Sequence, residues 1–198
     1  KTTLFNAVAG AFKPTSGRIV FDEADITGLP ANAVCRLGMA RTFQVTRPFG
    51  AMTCLENVMV AAINRHPQKP RAFIESSARE KLSFVGLAEM EGVEARHLNV
   101  IQKKRLEMAR ALATEPKLLM LDEVLGGLNT QEISQAVEFI RSLRDQLGLT
   151  VLWIEHVMGA IMQAAERVIV LDQGRVLMAG TPDEVVNDPR VIQAYLGE

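Results

Sequence analysis

The chain has 198 residues, 48% hydrophobic and 23% charged, enough for one sizeable domain or a domain with a smaller lobe. Basic and acidic residues nearly cancel, 22 against 23, so no basic field argues for nucleic acid. No apolar run approaches the roughly 18–20 residues of a membrane span, so any membrane role comes through a partner. His66, His97 and His156 show no metal-ligand spacing, and Cys35 and Cys54 make no disulfide framework; the two thiols read as reduced, in a cytoplasmic protein.

The chain opens abruptly on Lys1-Thr2-Thr3-Leu4-Phe5, without an initiator Met or a signal peptide, and reads as a fragment whose beginning lies upstream. Leu4, Phe5, Val8 and Ala9 have helical spacing, closed by Gly10. Arg18 to Phe21 reads as a strand, Asp22 to Pro30 as a polar loop, and Ala31 to Arg36 as a short helix. Met39 to Phe43 is strand-like and leads to Gln44. From Thr53, a candidate N-cap, the pattern turns helical: one helix buries Leu55, Val58, Met59 and Ala62, a second runs Phe73 to Val85, and a third Lys103 to Ala113.

Leu118 to Leu121 reads as a strand buried on both faces, running into Asp122-Glu123 and then Gly126-Gly127. Thr130 is expected to cap a helix with Ile133, Val137, Ile140, Leu143 and Leu147 on one face. A strand from Thr150 to Ile154 delivers Glu155-His156, and a helix covers Val157 to Ala165. Gln173-Gly174 marks a tight hairpin between Arg167–Asp172 and Arg175–Gly180, and two short helices end the chain. Strands alternating with helices imply α/β with a mostly parallel sheet.

Three features carry chemistry. Lys1-Thr2-Thr3 at a helix start has the composition of the end of a phosphate-binding loop, in which Lys reaches phosphates and a hydroxyl binds Mg²⁺. Asp122-Glu123 at the carboxyl end of a buried strand suits holding Mg²⁺ on a nucleotide and orienting a water. His156 follows another apolar strand and points chemistry to the same sheet edge. Each has a bland reading alone: a common tripeptide, a solvated acidic turn, a polar strand terminus. The ordered set is far more specific than its members.

That set resembles the nucleotide-binding subunits of ABC transporters, along the whole chain. Lys1 to Asn6 (K-T-T-L-F-N) looks like the end of a Walker A motif, and R-T-F-Q, ending at Gln44, like a Q-loop. L-L-M-L-D-E looks like Walker B with its catalytic glutamate, Gly126 to Asn129 like a D-loop, and W-I-E-H like a switch histidine. Within the family, G-M-A-R-T-F-Q, T-C-L-E-N-V-M-V-A and the terminal P-R-V-I-Q-A-Y-L-G-E are most similar to branched-chain amino acid importers. The fold implied is a P-loop NTPase of the ABC type, an α/β nucleotide-binding domain with a mostly parallel sheet core. Its parts would be the α/β core, 1–47 and 114–198, and an inserted helical subdomain at about 48–113; the N-terminal strands would be missing.

The resemblance also implies roles. Lys1 would neutralise the β/γ-phosphates of ATP, and Thr3 would contact the α-phosphate. Thr2 and Asp122 would hold Mg²⁺, with Gln44 sensing metal and water. Glu123 would be the general base and His156 would stabilise the transferring phosphoryl group. Asn99 and Gln102 of the signature loop, and Asn129 of the D-loop, would complete a nucleotide site. Implied partners are a second ATPase subunit and transmembrane permease subunits, with no nucleic acid and no direct membrane insertion. The subunit would be cytoplasmic, peripheral on the inner face of a bacterial or archaeal cell membrane.

Two departures shape the expectation. The signature, roughly L-S-G-G-Q in the family, is here Leu98-Asn99-Val100-Ile101-Gln102. Asn99 replaces a hydroxyl donor, and β-branched Ile101 replaces a glycine and does not take positive φ cheaply. Because the signature acts on the partner's site, this predicts an asymmetric heterodimer in which the site holding Glu123 stays competent. The glycine-rich part of Walker A would precede Lys1, so these 198 residues alone are expected to bind ATP weakly. The alternative reading is a non-hydrolysing structural or regulatory subunit; a soluble DNA-repair or translation ATPase is a third, disfavoured by the lack of large insertions or tandem copies.

Overall fold

The computed structural model describes residues 1–43 and 46–196. Its organising element is the strand β4, Leu118–Asp122, which lies between two parallel neighbours. On one side is β3, Met39–Arg41, with Arg41 opposite Met120; on the other is β5, Thr150–Ile154, with Asp122 opposite Ile154. Leu119, Met120 and Leu121 are all completely buried. Successive side chains of a strand point to opposite faces, and each face here has its own cover. Leu119 and Leu121 join the large cluster built from the helices on one side, whereas Met120 packs with Phe5, Ile26, Val34 and Met39.

Helix α1, Thr2–Val8, and helix α2, Ala31–Arg36, supply that second cover through Phe5 and Val34. Between them lies a hairpin of β1, Val20–Phe21, and β2, Ala24–Asp25. The expected polar loop thus contains a strand, and the expected strand Arg18 to Phe21 is shorter. The turn is made by Asp22 and Glu23, both at positive φ (49° and 65°). Turns of this hand favour Gly or Asn, so two acidic residues gave no hairpin signal.

Between β3 and β4 the chain forms α3 (Cys54–Arg65), α4 (Arg71–Phe84) and α5 (Val100–Leu112), with two short 3₁₀ turns ahead of α5. Thr53 caps α3 as expected, in a reciprocal capping box with Glu56. Asn57 is completely buried: its amide nitrogen donates to the carbonyls of Phe49, Met52 and Thr53 while its oxygen accepts from the Phe49 N–H. One side chain thereby folds the preceding loop onto the helix. Helix α5 begins three residues earlier than Lys103, because Asn99 and Gln102 form a second capping box.

Helix α6, Thr130–Leu147, buries Val137, Ile140 and Leu143 and ends on Gly148 in the left-handed conformation. Its cap is Asn129, boxed with Glu132, rather than Thr130. Helix α7, Met158–Ala164, follows β5. The hairpin of β6, Val168–Asp172, and β7, Arg175–Gly180, turns at Gln173-Gly174 as the sequence indicates. It forms its own two-stranded sheet beside α8 (Pro182–Val186) and α9 (Pro189–Leu196), and packs through Val170, Val185 and Val191.

Candidate functional site

Parallel strands in register end together, so the residues after β3, β4 and β5 share one edge of the sheet. In open α/β sheets that carboxyl edge is where ligands bind. Three of the expected functional residues meet there: Asp122 closes β4, Glu123 follows it, and His156 comes two residues after β5. Gln44 lies outside the described residues.

Asp122 is buried and its Oδ2 accepts from Nη2 of Arg41 at 2.7 Å, with the two side chains 4% and 9% exposed. A buried carboxylate needs such a partner to remain charged. Arg41 also donates to Oδ1 of Asn6 and lies against the Phe5 and Phe43 rings, 5.7 and 5.4 Å from their centroids. The guanidinium therefore links α1, the helix opened by Lys1, Thr2 and Thr3, to the acid at the end of β4. Lys1, Thr2 and Thr3 themselves are exposed; the Lys1 ammonium sits 4.7 Å from the Tyr195 ring centroid.

Glu123 adopts φ of +48°, the left-handed region that residues with a side chain enter rarely. Its N–H donates to the Ile154 carbonyl at 3.0 Å, which extends the β4–β5 ladder by one bond. His156 is largely exposed, with Nδ1 3.2 Å from Oε1 of Glu155, whose own side chain is completely buried. Glu155 also accepts from the backbone N–H groups of His156 and, at a long 3.4 Å, Leu125.

The signature and D-loop residues have local partners. Asn99 and Gln102 bond each other's backbone at the start of α5, and Asn129 bonds that of Glu132 at the start of α6. Ile101 sits inside α5 and is not among the residues at positive φ. The expected backbone penalty for a β-branched residue at this position does not arise, because a first-turn helical residue needs no left-handed φ.

Sequence reasoning missed five side chains. Arg41 lay inside the R-T-F-Q motif without a role, and Glu155 stood unexamined beside His156. Lys104 and Glu107 share one face of α5, three residues apart. Glu107 accepts from the Phe43 N–H at 2.9 Å, and Arg110 donates to the Arg47 carbonyl at 3.2 Å. Helix α5 thus holds both flanks of the segment that contains Gln44. Burial pushes the Glu107 carboxyl above its ordinary value, against the lowering effect of the Phe43 bond, and pushes Lys104 and Arg110 down.

A family model described as ABC transporter matches residues 1–126. The chain belongs to the ABC transporter family. A second model, described as branched-chain amino acid ATP-binding cassette transporter, matches residues 175–198, the stretch holding β7, α8 and α9. The chain is 40% identical to the high-affinity branched-chain amino acid transport ATP-binding protein LivG of Salmonella typhimurium, covering 100% of itself and 83% of that protein. The corresponding protein BraF of Pseudomonas aeruginosa matches at the same identity and coverage. Among solved structures, the ADP conformation of an ATP-binding cassette of an ABC transporter superimposes with a TM-score of 0.85 at 27% identity, over 100% of this chain and 84% of that one. The ABC cassette fold, α/β around a parallel sheet, is therefore the fold of this chain, and within the ABC family it is of the branched-chain amino acid ATP-binding type.

Proposed function

We propose that this chain hydrolyses ATP to drive uptake of branched-chain amino acids through a transmembrane permease partner. The observation that carries the reading is the shared register of β3, β4 and β5, which gathers Asp122, Glu123 and the Glu155-His156 pair at one edge. Bound ATP with Mg²⁺ supplies the phosphoanhydride to be cleaved and the charge that neutralises its phosphates.

The oxygen donors in this scheme suit that pair. Asp122 at the end of β4 and the exposed Thr2 hydroxyl at the start of α1 are hard oxygen ligands. Mg²⁺ prefers one or two protein oxygens completed by phosphate and water. Arg41 occupies Oδ2 of Asp122, leaving Oδ1 without a hydrogen bond among the described residues. In this scheme Glu123 takes a proton from the attacking water. His156 stabilises the phosphoryl oxygens, and the Glu155 carboxylate beside its Nδ1 orients the ring. Lys1 and Thr3 contact phosphates, and Gln44 senses metal and water.

Residues 48–113 act as the helical part that meets the permease, and 1–47 with 114–198 as the catalytic core. Asn99, Gln102 and Asn129 serve a site shared with a second ATPase subunit, in a heterodimer on the inner face of the cell membrane. No helix among the described residues is long and apolar enough to cross a membrane, which fits attachment through the permease.

Glu123→Gln in the complete transporter tests the reading. Loss of a general base lowers turnover by about 10²- to 10⁴-fold, while nucleotide binding persists. Unchanged turnover would refute catalysis at Glu123 and favour the non-hydrolysing subunit.

A further inference from the structure

We propose that Lys104, together with Glu155, clamps the turn after β4 and so holds Glu123 in its left-handed conformation; Lys104 is thereby a positioning residue for the hydrolytic step. The functional part of this inference rests on the reading of Glu123 given above. A residue with a side chain keeps φ near +48° only where its surroundings over-determine it. Its own N–H bond to Ile154 fixes one side of Glu123. The other side is the turn from Val124 to Gly126.

That turn is gripped at three successive residues by two side chains from other elements. Lys104 Nζ, reaching from α5, donates to the Val124 carbonyl at 2.9 Å and to the Gly126 carbonyl at 2.6 Å. Glu155, at the end of β5, accepts from the Leu125 N–H between them. The two gripping groups carry opposite charges, and Glu155 favours the charged state of Lys104 that burial opposes. Within the turn itself the backbone makes two local bonds, Gly126 N–H to the Glu123 carbonyl at a long 3.4 Å and Leu128 N–H to the Leu125 carbonyl at 3.1 Å; Leu125 is buried, while Gly126 and Gly127 are both exposed. An ammonium is suited to this task because its three donors bond two carbonyls at once, which no neutral apolar chain of similar length does.

A further consequence is that the clamp joins three elements through one turn. Lys104 lies two residues beyond Gln102, and Glu155 adjoins His156. A change at the start of α5 is transmitted to Glu123 through the Lys104 carbonyl bonds, and a change at His156 through Glu155.

The test uses the assembled transporter with Lys104→Met, which keeps the stem and removes the donors, and Lys104→Arg, which restores them. Hydrogen exchange at residues 123–128 should accelerate by about tenfold or more in Lys104→Met, with β4 residues 119–121 unchanged. ATP kcat should fall by about tenfold or more with KM within about twofold, and Lys104→Arg should recover most of both. Glu155→Gln keeps an acceptor but loses the charge, and should speed exchange at Leu125 in particular. Exchange unchanged in the turn, or raised equally in β4, overturns the clamp. If the turn loosens while Glu123→Gln leaves turnover intact, the clamp stands and the catalytic reading of Glu123 fails.

Discussion

Replacing Arg41 by Met removes the cation that neutralises Asp122 and keeps much of the side-chain volume. The pair is nearly sealed from water, at 9% and 4% exposure, and closes at 2.7 Å. Breaking a buried pair by deleting one partner costs about 3–5 kcal/mol, because the remaining charge is left uncompensated. Against this, the Arg41 Nε is buried with no hydrogen-bond partner among the described residues, a defect that Met removes and that is worth about 1 kcal/mol or more. The expected net loss is about 2–4 kcal/mol, which for a chain of this size lowers Tm by about 4–16 °C. The Asn6 bond and the contacts with Phe5 and Phe43 are lost as well, so a single variant does not isolate the pair. A double-mutant cycle with Asp122→Asn does. In that background no charge is stranded, and Arg41→Met should cost about 2 kcal/mol less. Urea unfolding of the four chains by circular dichroism gives each value. Equal costs in both backgrounds, or a cost under about 1 kcal/mol in the first, refute the assignment of the pair as the electrostatic anchor of this edge.

Glu107 gives a pH dependence whose sign follows from its raised folded-state pKa. Its contribution is fully present below the ordinary carboxylate value and is lost as pH rises through the raised one. Glu107→Gln keeps an acceptor for Phe43 and removes that loss, so its stability relative to the parent should climb between pH 4 and 8; a difference that stays flat in urea titrations rejects the assignment. Asn99→Ala deletes the cap of α5 and should cost about 1 kcal/mol, whereas Asn99→Ser should cost little. Equal effects of the two substitutions on the urea midpoint would show that Asn99 is not acting as the cap.

The element at the centre of this fold was readable from the sequence because its cause is local. Four consecutive apolar residues followed by two acids leave few alternatives to a fully buried strand ending at an edge, and Leu119 to Leu121 are completely buried. The Gln173-Gly174 hairpin and the Thr53 cap were legible for the same reason: turn and cap chemistry are written within four residues. What escaped is non-local or conformational. Arg41 meets Asp122 across 81 positions, and Glu107 meets Phe43 across 64, distances over which spacing carries no signal. The left-handed backbone of Glu123 has no local cue, because it is imposed by neighbours rather than by residue type. The Asn99 cap, by contrast, is a local signal, an Asn three residues before Gln102 that bonds the third residue of α5.

Helix α5 has a mechanical consequence. From its cap at Asn99 to Arg110 it rises about 16 Å as a single rod, and along that rod three side chains are attached to two separate loops. Asn99 stands at its tip, Lys104 holds the turn after Glu123, and Glu107 and Arg110 hold the two flanks of the Gln44 segment. Such a rod does not deliver independent messages. A tilt about its middle displaces the tip and the far end in opposite senses, and the ratio of those displacements is set by residue spacing alone. Inserting one residue into the exposed face of α5 would rotate the downstream attachments by about 100°, throwing the loops out of phase with one another while leaving each of their sequences intact.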